Sequence, residues 1–275
     1  MKKNNILVKL GVATLAAAAL FTSCSIEPEF YSQLAPNNFY TSSTSVYQRA
    51  YRPYQNWRGY VWQFDGIWGL QEFGTDELCL PEGASYLKFG GQYSQMHRHQ
   101  FNTSMLCIKN AWNGIGNGVA QAWDAIKELE ALDYKSLGVS DAEIQALIAQ
   151  NKVLVAYFYL EGLDLFGGMP LYEQVGGDVL PRSTDKETFD FVEKLLTENI
   201  DKLPKHTTAG STDVGNLTQG AAAMLLARLY FNAESYIRDA NGNKAGTAMY
   251  DKAATICQDI INGKSFESPS EPATK

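Results

Sequence analysis

The sequence has few cysteines, few histidines and no excess of basic residues. Its 275 residues include four Cys and three His, and 30 Asp and Glu outnumber 23 Lys and Arg to leave a net charge of −7. A disulfide miniprotein concentrates many more cysteines in a shorter chain. A nucleic-acid or anionic-lipid partner requires a basic face. The composition therefore excludes the first class of protein and argues against the second.

The cysteines also lack the spacing of a metal or redox site. Cys79, Cys107 and Cys257 lie far apart and form no Cys-x-x-Cys pair, so neither a zinc knuckle nor a thioredoxin-type pair is indicated. We expect three buried free thiols. A nucleophile elbow, a Walker loop and a dinucleotide fingerprint are missing as well. What the sequence does have is 45% hydrophobic residues against 19% charged ones, which indicates a folded chain and not a disordered one.

The first 23 residues have the pattern of a secretory signal. Two lysines precede an apolar run from Ile6 to Leu20, and Phe21-Thr22-Ser23-Cys24 follow. The run is shorter than the about 20 apolar residues of a membrane span. The small residues before Cys24 resemble a bacterial lipobox, which predicts a lipid-modified Cys24 at the mature N-terminus, anchored to a membrane surface by its acyl chains. Ordinary signal cleavage beside an incidental cysteine is the alternative.

Residues 24–30 form a short acidic stretch that contains Glu27 and Glu29. It resembles the surface-export signal of some bacterial lipoproteins, and a solvated linker is the alternative. We expect the folded part of the chain to begin at about residue 31.

From about Ile115 onward the apolar residues recur with helical spacing. A capping box at Ser140 begins a long helix that extends to Phe166, and its second half is apolar nearly all round, so we expect this helix to lie in the core. Gly167-Gly168 and Pro170 end it, as a glycine C-cap followed by proline should.

Three further helices are predicted. One follows a second capping box at Thr184 and stops at Pro204, one follows the cap Thr218 and extends to about Tyr236, and one extends from about Ala248 to Asn262. The last two place small residues opposite aromatic ones, which is typical of tetratricopeptide repeats. No strict repeat period runs through the chain. The sequence therefore predicts an all-α protein with degenerate, tetratricopeptide-like repeats.

Residues 31–110 differ from the rest. An early helical stretch at residues 45–57 is followed by many glycines interspersed with aromatic residues. This composition indicates loops that pack on or project from the helical scaffold, where binding residues tend to lie.

Seven motifs in a fixed order resemble the SusD/RagB-type outer-membrane nutrient-binding lipoproteins. No single motif is specific, but their order is. They are the lipobox ending at Cys24, Gly74-Thr75-Asp76-Glu77, Phe89-Gly90-Gly91-Gln92-Tyr93 followed by Met96-His97-Arg98-His99, Trp112-Asn113 with Ile115 and Asn117, Ala156-Tyr157-Phe158-Tyr159-Leu160 through Phe166-Gly167-Gly168-Met169-Pro170-Leu171, Gly220-Ala221-Ala222 to Leu226-Ala227-Arg228-Leu229-Tyr230, and Tyr250-Asp251-Lys252-Ala253.

The resemblance implies an all-α scaffold that packs against a TonB-dependent, SusC-like β-barrel in the outer membrane. Such a protein captures oligosaccharides at the cell surface and passes them on for import, without breaking a bond and without a metal or cofactor. The implied organisation is a signal peptide (1–23), an acidic linker (24–30) and a SusD-like N-terminal helical domain (31–275).

The chain departs from the family pattern in three places. Val155 occupies a position where the family often has Arg, and Tyr86 stands where it often has Trp. The chain ends at Lys275, whereas family members continue through a second half that supplies much of the ligand site. We therefore expect the front portion of a longer protein, with an incomplete binding site.

Sugar binding requires aromatic rings that stack on the apolar faces of pyranose rings, together with polar groups that pair with hydroxyls. We expect Trp112 and Trp123, which have helical spacing and apolar neighbours, to lie in the core. The segment from Tyr86 to Tyr93 and the charged residues near it have the composition of a sugar site. The candidate ligand-binding residues are Tyr86, Phe89, Tyr93, Asp76, Glu77 and Arg98.

Two other functions remain open at this level. Asp65 with Asp76 or Glu77 could provide the paired carboxylates of a helical glycoside hydrolase, and a repeat protein could act as a periplasmic adaptor that binds only protein. A zinc site at His97 and His99 would need a third ligand, and the sequence places none.

Overall fold

The structure is a computed structural model that describes residues 39–61, 64–79, 91–205 and 215–262. Its contacts separate residues 1–39 from a second unit that begins at Tyr40, and the helices below belong to that second unit. The secretory signal, Cys24 and the acidic linker lie outside the described residues.

The described residues form ten α-helices and no strand. A π-helical turn at Trp57–Val61 and a 3-10 turn at Ile200–Lys202 complete the regular structure, and one isolated antiparallel bridge joins Arg238 to Lys244. The prediction of an all-α, tetratricopeptide-like scaffold is confirmed. The helices are α1 (Ser43–Ala50), α2 (Arg52–Asn56), α3 (Ile67–Phe73), α4 (Gln92–His97), α5 (Leu106–Ala131), α6 (Asp141–Phe166), α7 (Asp185–Thr197), α8 (Gln219–Phe231), α9 (Ala233–Tyr236) and α10 (Tyr250–Ile261).

Helix α6 is the centre of the core, as its sequence predicts. Ser140 caps it, since its hydroxyl accepts a hydrogen bond from the Glu143 N–H while Glu143 bonds back to Ser140. Helix α5 packs antiparallel along one side, with Gly118 against Phe158 and Trp112 against Phe166, and α7 packs along another. A Cβ at Gly118 would lie 2.4 Å from the Phe158 ring. Gly118 therefore permits the close approach of the two longest helices.

Three predicted helix boundaries differ from the structure by five residues or more. Helix α7 ends at Thr197, seven residues before the predicted stop at Pro204, and a separate 3-10 turn follows at Ile200–Lys202. Helix α5 begins at Leu106, nine residues before the predicted start at Ile115, because its first turns are only partly apolar and carry a weak periodic signal. The helix predicted to reach Tyr236 breaks at Asn232, whose side-chain amide donates to the Arg228 carbonyl at 2.9 Å. This local bond ends α8 and starts the short helix α9.

Buried polar groups tie the flanking helices to α6. The Asn151 amide donates to the Ala50 carbonyl at the end of α1 at 3.1 Å. Glu161 is only 3% exposed and pairs with Arg228 of α8 at 2.6 Å. Because a buried carboxylate is costly without a partner, this pair specifies which side of α8 faces α6.

Asp185 closes the C-terminal end of α6. Gly167 has a φ of +78°, and Gly168 lies so close to Ser183 that a Cβ would sit 1.9 Å from its carbonyl oxygen. Asp185 accepts hydrogen bonds from the Gly168 N–H at 2.6 Å and from both the backbone N–H and Nε of Arg238 at 3.2 and 3.1 Å. The Gly-Gly pair is thus a site of close backbone packing as well as a helix stop.

Arginine side chains satisfy the carbonyls at the same helix end. Arg182 donates to the Gly168 and Phe166 carbonyls at 2.8 and 2.7 Å, and Arg238 donates to the Leu163 carbonyl at 3.2 Å. We call Asp185, Arg182 and Arg238 the α6 clasp. Arg182 thus supplies a donor for the Phe166 carbonyl at the last turn of the helix, and the two arginines place positive charge at the negative end of its dipole.

Asp185→Ala should lower the free energy of unfolding by about 2–3 kcal/mol, because it removes three hydrogen bonds to a mostly buried carboxylate and takes the ion-pair partner from Arg238. Urea denaturation followed by circular dichroism measures the loss. The matched control is Asp190→Ala on the same helix, which removes an exposed pair with Lys186 worth about 0.5 kcal/mol or less. Equal losses in the two variants would contradict the clasp.

Candidate functional site

The structure describes four of the seven predicted site residues. Cys24, Tyr86 and Phe89 lie outside the described residues, so their roles stay predictions. Asp76, Glu77, Tyr93 and Arg98 are described and fall on or beside two short helices, α3 and α4, that contact each other.

Tyr93 occupies a core position. Its side chain is 2% exposed, and its ring centre lies 4.7 Å from that of Phe73 and 5.0 Å from that of Phe64. Met96 and Cys107 complete this small apolar cluster. Burial raises the pKa of Tyr93 to about 12. This ring presents no open face to a ligand in the structure, so its predicted ligand contact gains no support from its position.

Asp76, Glu77 and Arg98 are exposed. The acidic pair lies in the turn after α3, where the Thr75 hydroxyl donates to the Glu72 carbonyl and accepts from the Glu77 N–H. Arg98 immediately follows α4. All three are available to solvent, and their ligand contacts stay predictions.

The neighbouring histidines and cysteines also have defined positions. His97 is partly buried in α4, while His99 has a φ of +56° and packs edge-on against Phe101. No group of three potential metal-ligating side chains occurs among the described residues. Cys79, Cys107 and Cys257 are free, but Cys79 is exposed and Cys257 half-buried, so the prediction that all three are buried is wrong for these two.

Trp112 is exposed, contrary to the expectation that it lies in the core. Its side chain is 42% exposed, and its ring meets Phe166 edge to face with centres 5.3 Å apart. Successive helical residues are about 100° apart, so Trp112 lies about 60° around α5 from Ile115 and at the margin of the apolar stripe. Trp123 is partly buried and packs against the core, which is closer to the prediction that it lies in the core.

Trp112 stands between two cavities. One, of about 390 Å³, has a mixed lining of polar and apolar side chains from α5, α6 and the turn before α5: Thr103, Ile108, Lys109, Trp112, Asn113 and Phe166. The other, of about 460 Å³, lies between α5 and the loop that follows α6. We call them the polar cavity and the aromatic cavity. Sizes of about 300–1,000 Å³ are usual for ligand pockets.

The loop of residues 169–183 forms the outer wall of the aromatic cavity, and Tyr159 of α6 holds it. The Tyr159 hydroxyl donates to the Pro170 carbonyl at 2.9 Å and accepts from the Tyr172 N–H at 2.8 Å. The Tyr172 hydroxyl in turn accepts from the Leu180 N–H at 3.3 Å. Burial raises the pKa of Tyr159 to about 12.

A family model described as "Starch-binding associating with outer membrane", of the SusD-like group, matches residues 87–231. The match covers more than half of the chain. The chain belongs to the SusD-like family. A comparison with curated protein sequences finds no match.

Solved structures of SusD-like proteins share the fold. A SusD-like protein from Bacteroides fragilis is 21% identical, with a TM-score of 0.63 over 82% of this chain and 39% of its own. Surface glycan-binding protein A from Bacteroides uniformis is 18% identical, with a TM-score of 0.64 over 85% and 48%. A laminarin-binding SusD-like protein is 17% identical, with a TM-score of 0.62 over 82% and 44%. The chain thus spans less than half the length of each of these SusD-like proteins.

The family that matches this chain is described as associating with the outer membrane. Among the described helices of this SusD-like chain, none is both long enough and apolar enough to cross a bilayer.

Tyr159→Phe should lower the free energy of unfolding by about 1–3 kcal/mol, because it removes two hydrogen bonds and leaves the Tyr172 N–H without its partner. Limited proteolysis should also cut the loop of residues 169–183 faster. The control is Tyr134→Phe, which removes an exposed hydroxyl bonded to Asp141 at 2.7 Å and should change neither measurement appreciably. Unchanged proteolysis in Tyr159→Phe would show that this hydroxyl does not hold the loop.

Proposed function

We propose that this protein is a surface-exposed, glycan-binding lipoprotein of the outer membrane, which captures oligosaccharides and passes them to a TonB-dependent, SusC-like barrel. Its family is described as starch-binding and outer-membrane-associated, and solved proteins of the same fold are described as laminarin-binding and glycan-binding. The observation in this chain that carries the proposal is an exposed tryptophan between two cavities.

The surface around Trp112 has the chemistry that a sugar requires. An exposed indole offers a flat apolar face to a pyranose ring. In the polar cavity, the Asn113 amide both donates and accepts hydrogen bonds, the Thr103 hydroxyl does the same, and Lys109 donates only. These three side chains can pair with the hydroxyls of a sugar that stacks on Trp112 from this cavity.

The predicted residues of the N-terminal region belong to the same proposal. Asp76, Glu77 and Arg98 are exposed and can pair with sugar hydroxyls, and Tyr86 and Phe89 are proposed as further stacking rings. Tyr93 supports this region from the core through Phe73.

We place binding, and not hydrolysis, at this site. A glycosidase needs two carboxylates on opposite sides of one bond, about 5–9 Å apart. The carboxylates considered for this role, Asp65 with Asp76 or Glu77, line neither cavity at Trp112, whereas the aromatic and amide groups around Trp112 need no acid to bind a sugar.

Trp112→Ala should raise the Kd of the protein for its glycan about tenfold or more, because it removes the central aromatic contact. Retardation in native gels that contain starch, laminarin or another soluble polysaccharide measures this change. Phe231→Ala is the control, since Phe231 is an even more exposed aromatic residue that borders neither cavity at Trp112.

Other outcomes would favour the alternatives. Release of reducing ends that is lost in Asp76→Asn or Glu77→Gln would establish a glycoside hydrolase. Binding of no glycan in a broad panel, with a protein partner retained in Trp112→Ala, would favour the protein-only adaptor.

Cys24→Ala should release the protein from the outer-membrane fraction, because the acyl chains proposed on this cysteine supply the anchor. The variant should also lose co-isolation with a TonB-dependent barrel from solubilised membranes, while wild type retains it. Ser25→Ala is the control. If the wild-type and Cys24→Ala proteins partition equally into membranes, the proposed lipid anchor at Cys24 is contradicted.

A further inference from the structure

Gly116 has no structural reason to be glycine. It lies in the interior of α5 with a helical backbone, and in the described part of the chain no atom beyond the neighbouring helix backbone lies within 4 Å of the position that a Cβ would take. Glycine in a helix interior costs about 0.5–1 kcal/mol relative to alanine. Gly118, two residues later, is needed for packing against Phe158. What Gly116 does provide is open space, and that space is part of the aromatic cavity.

The two tryptophans of α5 stand at the two ends of this space. Trp112 and Trp123 are eleven residues apart, which is about three helical turns and about 16 Å along the axis, so both lie on one side of α5. Gly116 and Ala120 lie between them on the same stripe, and all four residues line the aromatic cavity. Ile115 and Val119 also line the floor but are buried in the core, so Gly116 is its smallest and most open position, with an indole at each end.

The opposite wall comes from the loop after α6. Tyr172, Val179 and Leu180 face the cavity from this loop, whose base is held by Tyr159 and by the α6 clasp. Val179 is 93% exposed. The cavity is therefore a trough along α5 that is open to solvent, and not a closed hole.

The charges around the trough favour an uncharged ligand. Among the described residues that line it, Asp178 is the one charged side chain and Gln174 is the one side-chain amide. The Tyr159 and Tyr172 hydroxyls already hold the loop. An anionic sugar would meet a carboxylate here and no cation, whereas Lys109 lines only the polar cavity.

We infer that Gly116 opens a subsite for an extended, uncharged oligosaccharide that lies along α5, with one sugar ring against Trp112 and another against Trp123. This inference rests on the proposed glycan-binding function and specifies its ligand. A single sugar ring is too small to reach both indoles, so a chain of several sugars should bind more tightly than a disaccharide of the same type.

Gly116→Leu in the full-length protein tests the subsite, because position 116 has room for a Cβ and a leucine there occupies part of the trough. The probes are neutral glucose oligomers of increasing length and oligomers of galacturonic acid, with binding followed by tryptophan fluorescence and calorimetry. In wild type, long neutral oligomers should bind at least about tenfold more tightly than disaccharides and than the acidic oligomers. Gly116→Leu should raise the Kd for the long neutral oligomers by at least about tenfold.

Asn117→Leu is the matched control. Asn117 is the next residue of α5, is exposed, and lines neither cavity, so the same side chain there should leave every Kd within about twofold of wild type. Gly116→Ala should weaken long-oligomer binding less than Gly116→Leu while leaving the melting temperature unchanged or higher, since alanine is the better helix former. A loss of affinity for long oligomers without a loss of thermal stability would show that position 116 acts on ligand binding and not on the stability of the fold.

Three results would overturn the inference. They are an unchanged Kd for long neutral oligomers in Gly116→Leu, equal wild-type affinity for disaccharides and long oligomers, and acidic oligomers that bind as tightly as neutral ones. Any of these leaves the proposed function intact as long as wild type binds glycan. A wild-type protein that binds no glycan would instead contradict the proposed function itself.

Discussion

Helix α6 is apolar on almost every side, and a helix of that kind is stable in water only when other elements cover it. Helices α1, α2, α5, α7 and α8 all contact it. Its few polar groups then decide where those helices lie. Asn151 binds the end of α1 and Glu161 binds Arg228 of α8, and a misplaced neighbour would leave a polar group buried without a partner.

The packing around α6 also shapes the candidate site. At the C-terminal end of α6, the arginines of the α6 clasp donate to the Phe166 and Leu163 carbonyls and tie the following segment to the helix. The clasp and the Tyr159 hydroxyl together hold the loop of residues 169–183. That loop is one wall of the aromatic cavity, and α5, held against α6 by the close contact at Gly118, is the other. The shape of the candidate binding surface therefore depends on the packing of the core.

Features that depend on local sequence were predictable. The capping boxes at Ser140 and Thr184 form as their spacing indicates, and both mark helix starts correctly to within two residues. The stop at Gly167-Gly168 and the buried position of α6 also follow from local composition. The break at Asn232 was missed, because one side-chain bond to the Arg228 carbonyl competes with a helical pattern that continues through it.

The candidate site was less predictable, because it depends on which residues meet across the fold. Tyr93 and Trp112 illustrate this. Both are aromatic residues among apolar neighbours, yet Tyr93 packs against the rings of Phe64 and Phe73, while Trp112 packs against one described ring, that of Phe166, and stays 42% exposed. Periodicity places Trp112 within about 60° of the apolar stripe and cannot say whether a neighbouring helix covers that margin.

By itself, the sequence determined the helical class, the caps, the buried central helix and the order of motifs that marks the family, since each of these is written in residues close together along the chain. Only the tertiary structure decided that Trp112 is exposed, that Gly118 serves packing while Gly116 leaves open space, and that a loop faces α5 across a cavity. The physical reason is that burial and empty space are properties of pairs of surfaces. Those surfaces come from segments far apart in sequence, and their distances are decided only when the core closes.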